Sequence, residues 1–378
     1  MDPQQLKFRL PNAALALRGY NVTNLGRSRE LLTHPVYGPI VDEELRRASR
    51  ICTDVTGRRT DLVDRVRRGR ETTLKTYSDA VGLVVAMDLA QLRLLGEHFG
   101  IDYKAARMSF GYSLGEIAAL IAGGVIEMDE ALRIPLTLAP DCVALAEGVT
   151  LGILFSRGEE LPLDEIRRVC LRINAEGQGV IAVSAYLSPN SLLIMGQGTT
   201  MDRFDEQIRR ACPHPVHLRR NTRRWPPLHT PIVWERNVSD RAAFLMHTMK
   251  GGFTAPQPQV LSLVTGSISY DDYNCREIIH GWTDHPQRLW DAIYETLAMG
   301  ITTVIHVGPD PNIIPATFKR LADNVAAQTK SSLGMRALSA VAQRGWLRAV
   351  LPARTALLRA PAVQHVILED WLLAQKAV

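Results

Sequence analysis

Cysteine is sparse and unpatterned in this 378-residue chain. The five cysteines, Cys52, Cys142, Cys170, Cys212 and Cys275, are scattered, odd in number and never spaced C-x-x-C. That points to reduced thiols and a cytoplasmic location, and away from a disulfide framework or a zinc site. No run approaches the roughly eighteen uninterrupted apolar residues that a spanning helix needs. The opening MDPQQLKFRLP has no apolar h-region, so a secretory signal is not expected. No H-E-x-x-H or similar spacing suggests a metal, and no G-x-G-x-x-G follows a strand to suggest a nucleotide cofactor. Asp and Glu are missing altogether from 331–368, a stretch that holds Arg336, Arg344, Arg348, Arg354 and Arg359.

What is present describes an ordinary globular chain, 46% hydrophobic and 22% charged, long enough for one large domain or two smaller ones. The net charge of +5 is unevenly spread. Arginine patches lie at 45–70, at Arg219, Arg220, Arg223 and Arg224, and beyond 330. No nucleic-acid motif accompanies them, so solvated faces or an acidic protein partner are expected and nucleic acid is not. The C-terminal segment, 329–378, reads as a basic helical extension packed on the body, or as an amphipathic surface for peripheral membrane contact or an acidic partner.

Apolar runs and turn residues give the layout. The run NAALAL at 12–17 reads as a buried strand ending in the turn Arg18-Gly19-Tyr20-Asn21, and 38–70 has charged helical spacing. A long apolar helix covers 79–98, and a short strand covers 106–110. Between 146 and 219 the order is strand, helix, two strands, helix, strand, the split pattern of a ferredoxin-like α+β subdomain. It interrupts a larger α/β unit expected over 10–145 and 220–328. Strands at 259–265 and 302–307, with helices at 286–299 and from Pro315, complete that unit.

The chemistry centres on "FGYSLGEIAALIAGG". Gly111-Tyr112-Ser113-Leu114-Gly115 is a G-x-S-x-G between a predicted strand and a predicted helix, the context of a nucleophile elbow. A serine hydroxyl needs an adjacent base to attack at neutral pH. The glycines allow strand and helix to approach closely, and the Leu114 N–H at the new helix N-terminus faces the place where an oxyanion would form. Ten histidines are available. His229, His285 and His306 all lie at positions compatible with the base, and spacing does not choose among them.

The segment FGYSLGEIAALIAGGVIEMDEALRI resembles the nucleophile region of malonyl-CoA:acyl carrier protein transacylases and of polyketide-synthase acyltransferase domains. PPLHTPIV is similar to that family's histidine segment, VLSLVTG to its S-N-V-T-G-like strand, and VIHVGPDPNIIPATFKRL to its closing V-G-P stretch. LALRGYNVTNLG stands where the family has F-P-G-Q-G-S-Q. The matches keep family order over about 12–325. The resemblance implies an α/β-hydrolase-like core with a parallel sheet, an inserted ferredoxin-like subdomain, and a ping-pong reaction. The acyl group of a coenzyme A thioester would pass to Ser113, with His229 as base, and then to the phosphopantetheine thiol of an acidic acyl carrier protein. The backbone N–H groups of Leu114 and Tyr20 would form the oxyanion hole, and a backbone carbonyl near Leu263 would orient His229.

Departures from the pattern bear on the substrate pocket. Tyr112 replaces the family histidine before the serine, and Thr76-Tyr77-Ser78 replaces T-Q-P. The arginine expected 25 residues after the serine, which pairs with a malonyl carboxylate, is Leu138 here; Arg133 matches a different arginine. A leucine cannot hold a carboxylate, so a monocarboxylic acyl chain is expected over malonyl. An acyl-thioester hydrolase on the same scaffold, or a non-catalytic carrier-docking relative, are the alternatives.

Overall fold

The computed structural model describes residues 1–157, 159–330 and 353–375. Its larger sheet has six strands in the order β10-β9-β1-β2-β7-β8. The strands are β1 (Ala13–Leu17), β2 (Met108–Gly111), β7 (Val260–Ser262), β8 (Ser267–Ile268), β9 (Thr303–Val307) and β10 (Gln364–Ile367). All neighbours pair in parallel except β7 and β8. β1 lies between β9 and β2 and is buried on both faces, which explains why it reads as an unbroken apolar run. Its residues alternate: Leu15 and Leu17 join one core cluster, Ala14 and Ala16 the other.

The first cluster lies under the helices Gly38–Thr56, Tyr77–Phe99, Leu114–Ala122 and Met128–Ala146. The second lies under Leu289–Ala298, the N-terminal half of Ile313–Lys330 and the 3₁₀ segment Ala353–Ala362. Helix Met128–Ala146 carries Pro135 and Pro140 in its interior, so its sequence does not advertise a helix.

The chain leaves this unit at the end of Met128–Ala146 and builds a second sheet, antiparallel and ordered β4-β5-β3-β6. Its strands are β3 (Val149–Phe155), β4 (Ile181–Ser188), β5 (Ser191–Gln197) and β6 (His217–Arg220). Two amphipathic helices cover it. Leu163–Ala175 contributes Ile166, Val169, Cys170 and Ile173, and Thr200–Ala211 contributes Met201, Phe204 and Ile208. The order is that of a ferredoxin-like sheet.

The C-terminal part departs from the expected helical extension. Residues 364–367 form β10, which pairs in parallel with β9 and makes the edge of the larger sheet, and helix Leu368–Ala374 then packs back on the first cluster. Four residues are too short to show a strand period, and the pairing joins positions some sixty residues apart. Arg359 is buried and donates to the Leu297 carbonyl, so it is not part of a cationic surface. Arg336, Arg344 and Arg348 lie outside the described residues. Among the described residues no helix is long and apolar enough to cross a membrane.

Candidate active site

The parallel strands all end on one edge of the sheet, where open α/β folds place their ligands. β1 delivers Arg18-Gly19-Tyr20, β2 delivers Tyr112-Ser113, β7 delivers Leu263, and β9 delivers Gly308 and the 309–312 loop. Ser113 caps the helix Leu114–Ala122 with φ 55° and ψ −115°, a conformation non-glycine residues rarely adopt. The turn is tight enough that a Cβ on Gly111 would overlap the Gly115 backbone, and one on Gly115 would overlap the Leu17 carbonyl. Both glycines are therefore required by close approach.

Ser113 Oγ lies 2.6 Å from His229 Nε2. His229 is itself at φ 66° and is held by its backbone N–H, which donates to the Thr283 carbonyl at 2.8 Å. Its Nδ1 lies 2.7 Å from the Trp282 carbonyl oxygen. That contact places a proton on Nδ1 and leaves the Nε2 lone pair facing the serine hydroxyl. The orienting carbonyl is therefore that of Trp282 and not Leu263, whose carbonyl instead accepts the Arg288 N–H at 2.8 Å. Trp282 lies in the last turn of helix Cys275–Asp284, where a carbonyl has no partner within the helix and is free to accept from His229. Trp282 also donates its indole N–H to the Ser113 carbonyl at 2.8 Å, so one residue fixes both members of the pair.

The other histidines do not reach the serine. His285 is exposed and lies 2.6 Å from the Asp284 carboxylate. His306 is buried within β9 and lies 2.9 Å from His365 of β10. Burial lowers the His229 pKa to about 4, with the Trp282 carbonyl and Asp284 opposing the shift. Its imidazole is therefore neutral, and able to accept a proton, throughout the neutral range.

Neither the Leu114 nor the Tyr20 N–H has an acceptor among the described residues, as an oxyanion hole requires of its donors. Gly19 packs against the elbow so closely that a Cβ there would overlap the Tyr112 carbonyl. The Tyr20 loop is tied down from below by Arg18, which is buried and donates to the carbonyls of Gly19 and Pro309 and to Asn24.

Above the pair opens a cavity of about 330 Å³ between the two sheets. Tyr20, Tyr77 and Trp225 form an aromatic wall, with edge-on contacts at 4.9 Å and 5.8 Å between ring centres. Tyr112, Met195 and Leu228 add to the lining, and among the described residues no Arg, Lys, Asp or Glu contributes to it. Leu138 does not line the cavity. It is buried in the first core cluster because that side of helix Met128–Ala146 faces the neighbouring helices.

The chain is similar to known proteins in sequence and in fold. No family model matches the chain. In sequence it is 24% identical over 229 residues to polyketide synthase GfsA of Streptomyces halstedii, a match spanning 60% of this chain but only 3% of the synthase. It is 26% identical over 263 residues to the malonyl CoA-acyl carrier protein transacylase of Escherichia coli O157:H7, covering 67% of this chain and 77% of that one. Its fold superposes with a TM-score of 0.61, at 20% identity, on a malonyl-transacylase solved in complex with a type II polyketide-synthase acyl carrier protein, over 81% of this chain and 91% of that one. The chain is thus similar in sequence and in fold to these transacylases, at 26% identity or less.

Two residues against the pair escape sequence reading. Trp282 acts through its carbonyl and its indole N–H, and a main-chain acceptor leaves no mark on side-chain identity. Gln287 is fully buried, and its Oε1 accepts the Ser113 N–H at 2.9 Å. Its sequence setting, HPQRLW, carries no recognisable motif, so only the fold brings it to the elbow.

Proposed function

We propose that this chain is an acyltransferase that loads an acyl group from a coenzyme A thioester onto Ser113 and passes it to the phosphopantetheine thiol of an acidic acyl carrier protein. The observation that carries this reading is the hydrogen-bonded sequence Trp282 carbonyl, His229, Ser113 beneath a cavity that opens between the two sheets. His229 Nε2 removes the hydroxyl proton as Ser113 Oγ bonds to the thioester carbonyl carbon. The oxyanion forms at the Leu114 and Tyr20 N–H groups, the C–S bond breaks, and His229 returns the proton to the departing coenzyme A sulfur. The carrier thiol reverses these steps, giving its proton to His229 and taking the acyl group. Exposed Arg223 and Arg224 sit between the cavity-lining residues Asn221 and Trp225, which suits a phosphate or an acidic carrier surface at the mouth. Reduced, scattered cysteines fit a cytoplasmic site of action.

The cargo we propose is a monocarboxylic acyl chain. A malonyl carboxylate would enter a lining to which no described residue brings a Lys or Arg, and an unpaired buried carboxylate is costly. Incubating the protein with malonyl-, acetyl-, butyryl- or octanoyl-CoA and weighing the intact product tests this. At least one monocarboxylic group is expected to load at least about tenfold faster than malonyl, the equivalent of about 1.4 kcal/mol. Faster malonyl loading would sink the assignment. Adding holo carrier protein separates transfer from hydrolysis, since a transferase keeps its acyl-enzyme until a thiol acceptor arrives.

The low His229 pKa sets the pH profile. Protonation removes the base, and the shift is downward, so the rate of acylation should hold from about pH 8 down to about pH 5 and fall with an apparent pKa near 4, not near 6.5. Single-turnover acylation measured across that range reads it directly. A limb centred near 6.5 would contradict a buried neutral base.

A further inference from the structure

We propose that Gln287 is a positioning residue for the pair, its carboxamide wedged between the Ser113 amide and the His229 ring so that it sets the separation of nucleophile and base. The inference rests on the reading of Ser113 and His229 given above.

Three features carry it. First, the contact with Ser113 is to the backbone of a residue at φ 55°, and a strained turn persists only where its surroundings hold it. Gln287 Oε1 supplies the one acceptor for that N–H among the described residues, at 2.9 Å. Second, accepting from Ser113 fixes which way the carboxamide faces, so Nε2 points to the base and lies 3.4 Å from His229 Nδ1. Because Nδ1 already donates to Trp282, the amide N–H groups press the positive end of a dipole against the ring. That disfavours a second proton on the imidazole, in the same sense as burial does.

Third, Gln287 is anchored independently of the pair. Its N–H donates to the Ser184 carbonyl and its carbonyl accepts the Tyr186 N–H, both at 2.9 Å, so its main chain adds a bridge to the edge strand β4 of the inserted sheet. Ser184 lines the cavity. The carboxamide therefore reaches the elbow from a rigid support that belongs to the other sheet, and it couples the placement of the inserted subdomain to the geometry of Ser113 and His229.

The test uses a fluorophosphonate probe, which labels an activated serine whatever the natural acyl group. Labelling rates are followed from about pH 4 to pH 9 for the wild type, Gln287→Leu and Gln287→Glu, with circular dichroism melts on each. Gln287→Leu should remain folded and label Ser113 about 10- to 100-fold more slowly, the scale of a small misplacement of reacting groups. Gln287→Glu keeps an acceptor for the Ser113 N–H but sets a negative charge beside the ring. Its acidic limb should move up by at least about one pH unit, a shift that a purely structural role would not produce. If Gln287→Leu does not fold, the Gln287→Glu limb decides alone. Gln287→Leu labelling at the wild-type rate, or a Gln287→Glu limb that coincides with the wild type, overturns the proposal. A wild type that neither labels nor acylates overturns the reading of Ser113 itself.

Discussion

Ser113→Ala protein is expected to form no acyl-enzyme with any acyl-CoA, and His229→Ala to acylate at least about 10³-fold more slowly than the wild type. The two losses should not add. Once either group is gone the other has no partner in the proton transfer, so the double variant should match the worse single one. The Ser113 hydroxyl is 2.6 Å from Nε2, and among the described residues neither other candidate histidine takes its place, since His285 is paired with Asp284 and His306 with His365. Intact-mass measurement of the acyl adduct, with stopped-time quenching for the slow variant, gives both numbers. A His229→Ala protein that acylates within about tenfold of the wild type would show that the serine draws its reactivity from elsewhere.

Glu369→Ala should weaken fold and activity together, although Glu369 touches no residue of the pair. The carboxylate is buried at the start of helix Leu368–Ala374 and accepts the Arg27 N–H at 2.9 Å and the Asp310 N–H at 2.8 Å. Those donors lie in the two loops that carry the cavity residues Tyr20, Asn21, Pro311 and Asn312. Truncation leaves two backbone donors without a partner, a cost of about 2–5 kcal/mol in all. The melting temperature should fall by several degrees and the KM for acyl-CoA should rise, because the cavity wall loses its support. Glu369→Gln, which keeps one carbonyl acceptor, should lose less in both measurements. An unchanged melt and KM for Glu369→Ala would mean that the C-terminal segment only covers the sheet edge.

These expectations draw unequally on sequence and structure. The elbow was legible because everything that makes it is local: two glycines spaced to admit a tight turn, a serine between them, a strand before and a helix after. The ferredoxin-like order was legible because each of its helices repeats apolar residues at helical spacing, as in Ile166, Val169 and Ile173. Helix Met128–Ala146 was not, because its internal prolines break the local rule while tertiary packing keeps it helical. Leu138 shows the same divide: its apolar character was evident, but that it faces the core instead of the cavity was not.

Sequence by itself therefore determined an α/β chain with a serine elbow, a short set of histidines that could serve it, and an inserted split sheet. Tertiary structure decided which histidine meets Ser113, that Trp282 and not Leu263 orients it, that Gln287 contacts both of them, and that the C-terminal segment closes the sheet and braces its loops. The physical reason is sequence distance. A turn or an amphipathic helix is specified by neighbours a few positions apart. The contacts that assemble this site join residues 53, 116 and 174 positions apart, and only the packed core brings such residues together.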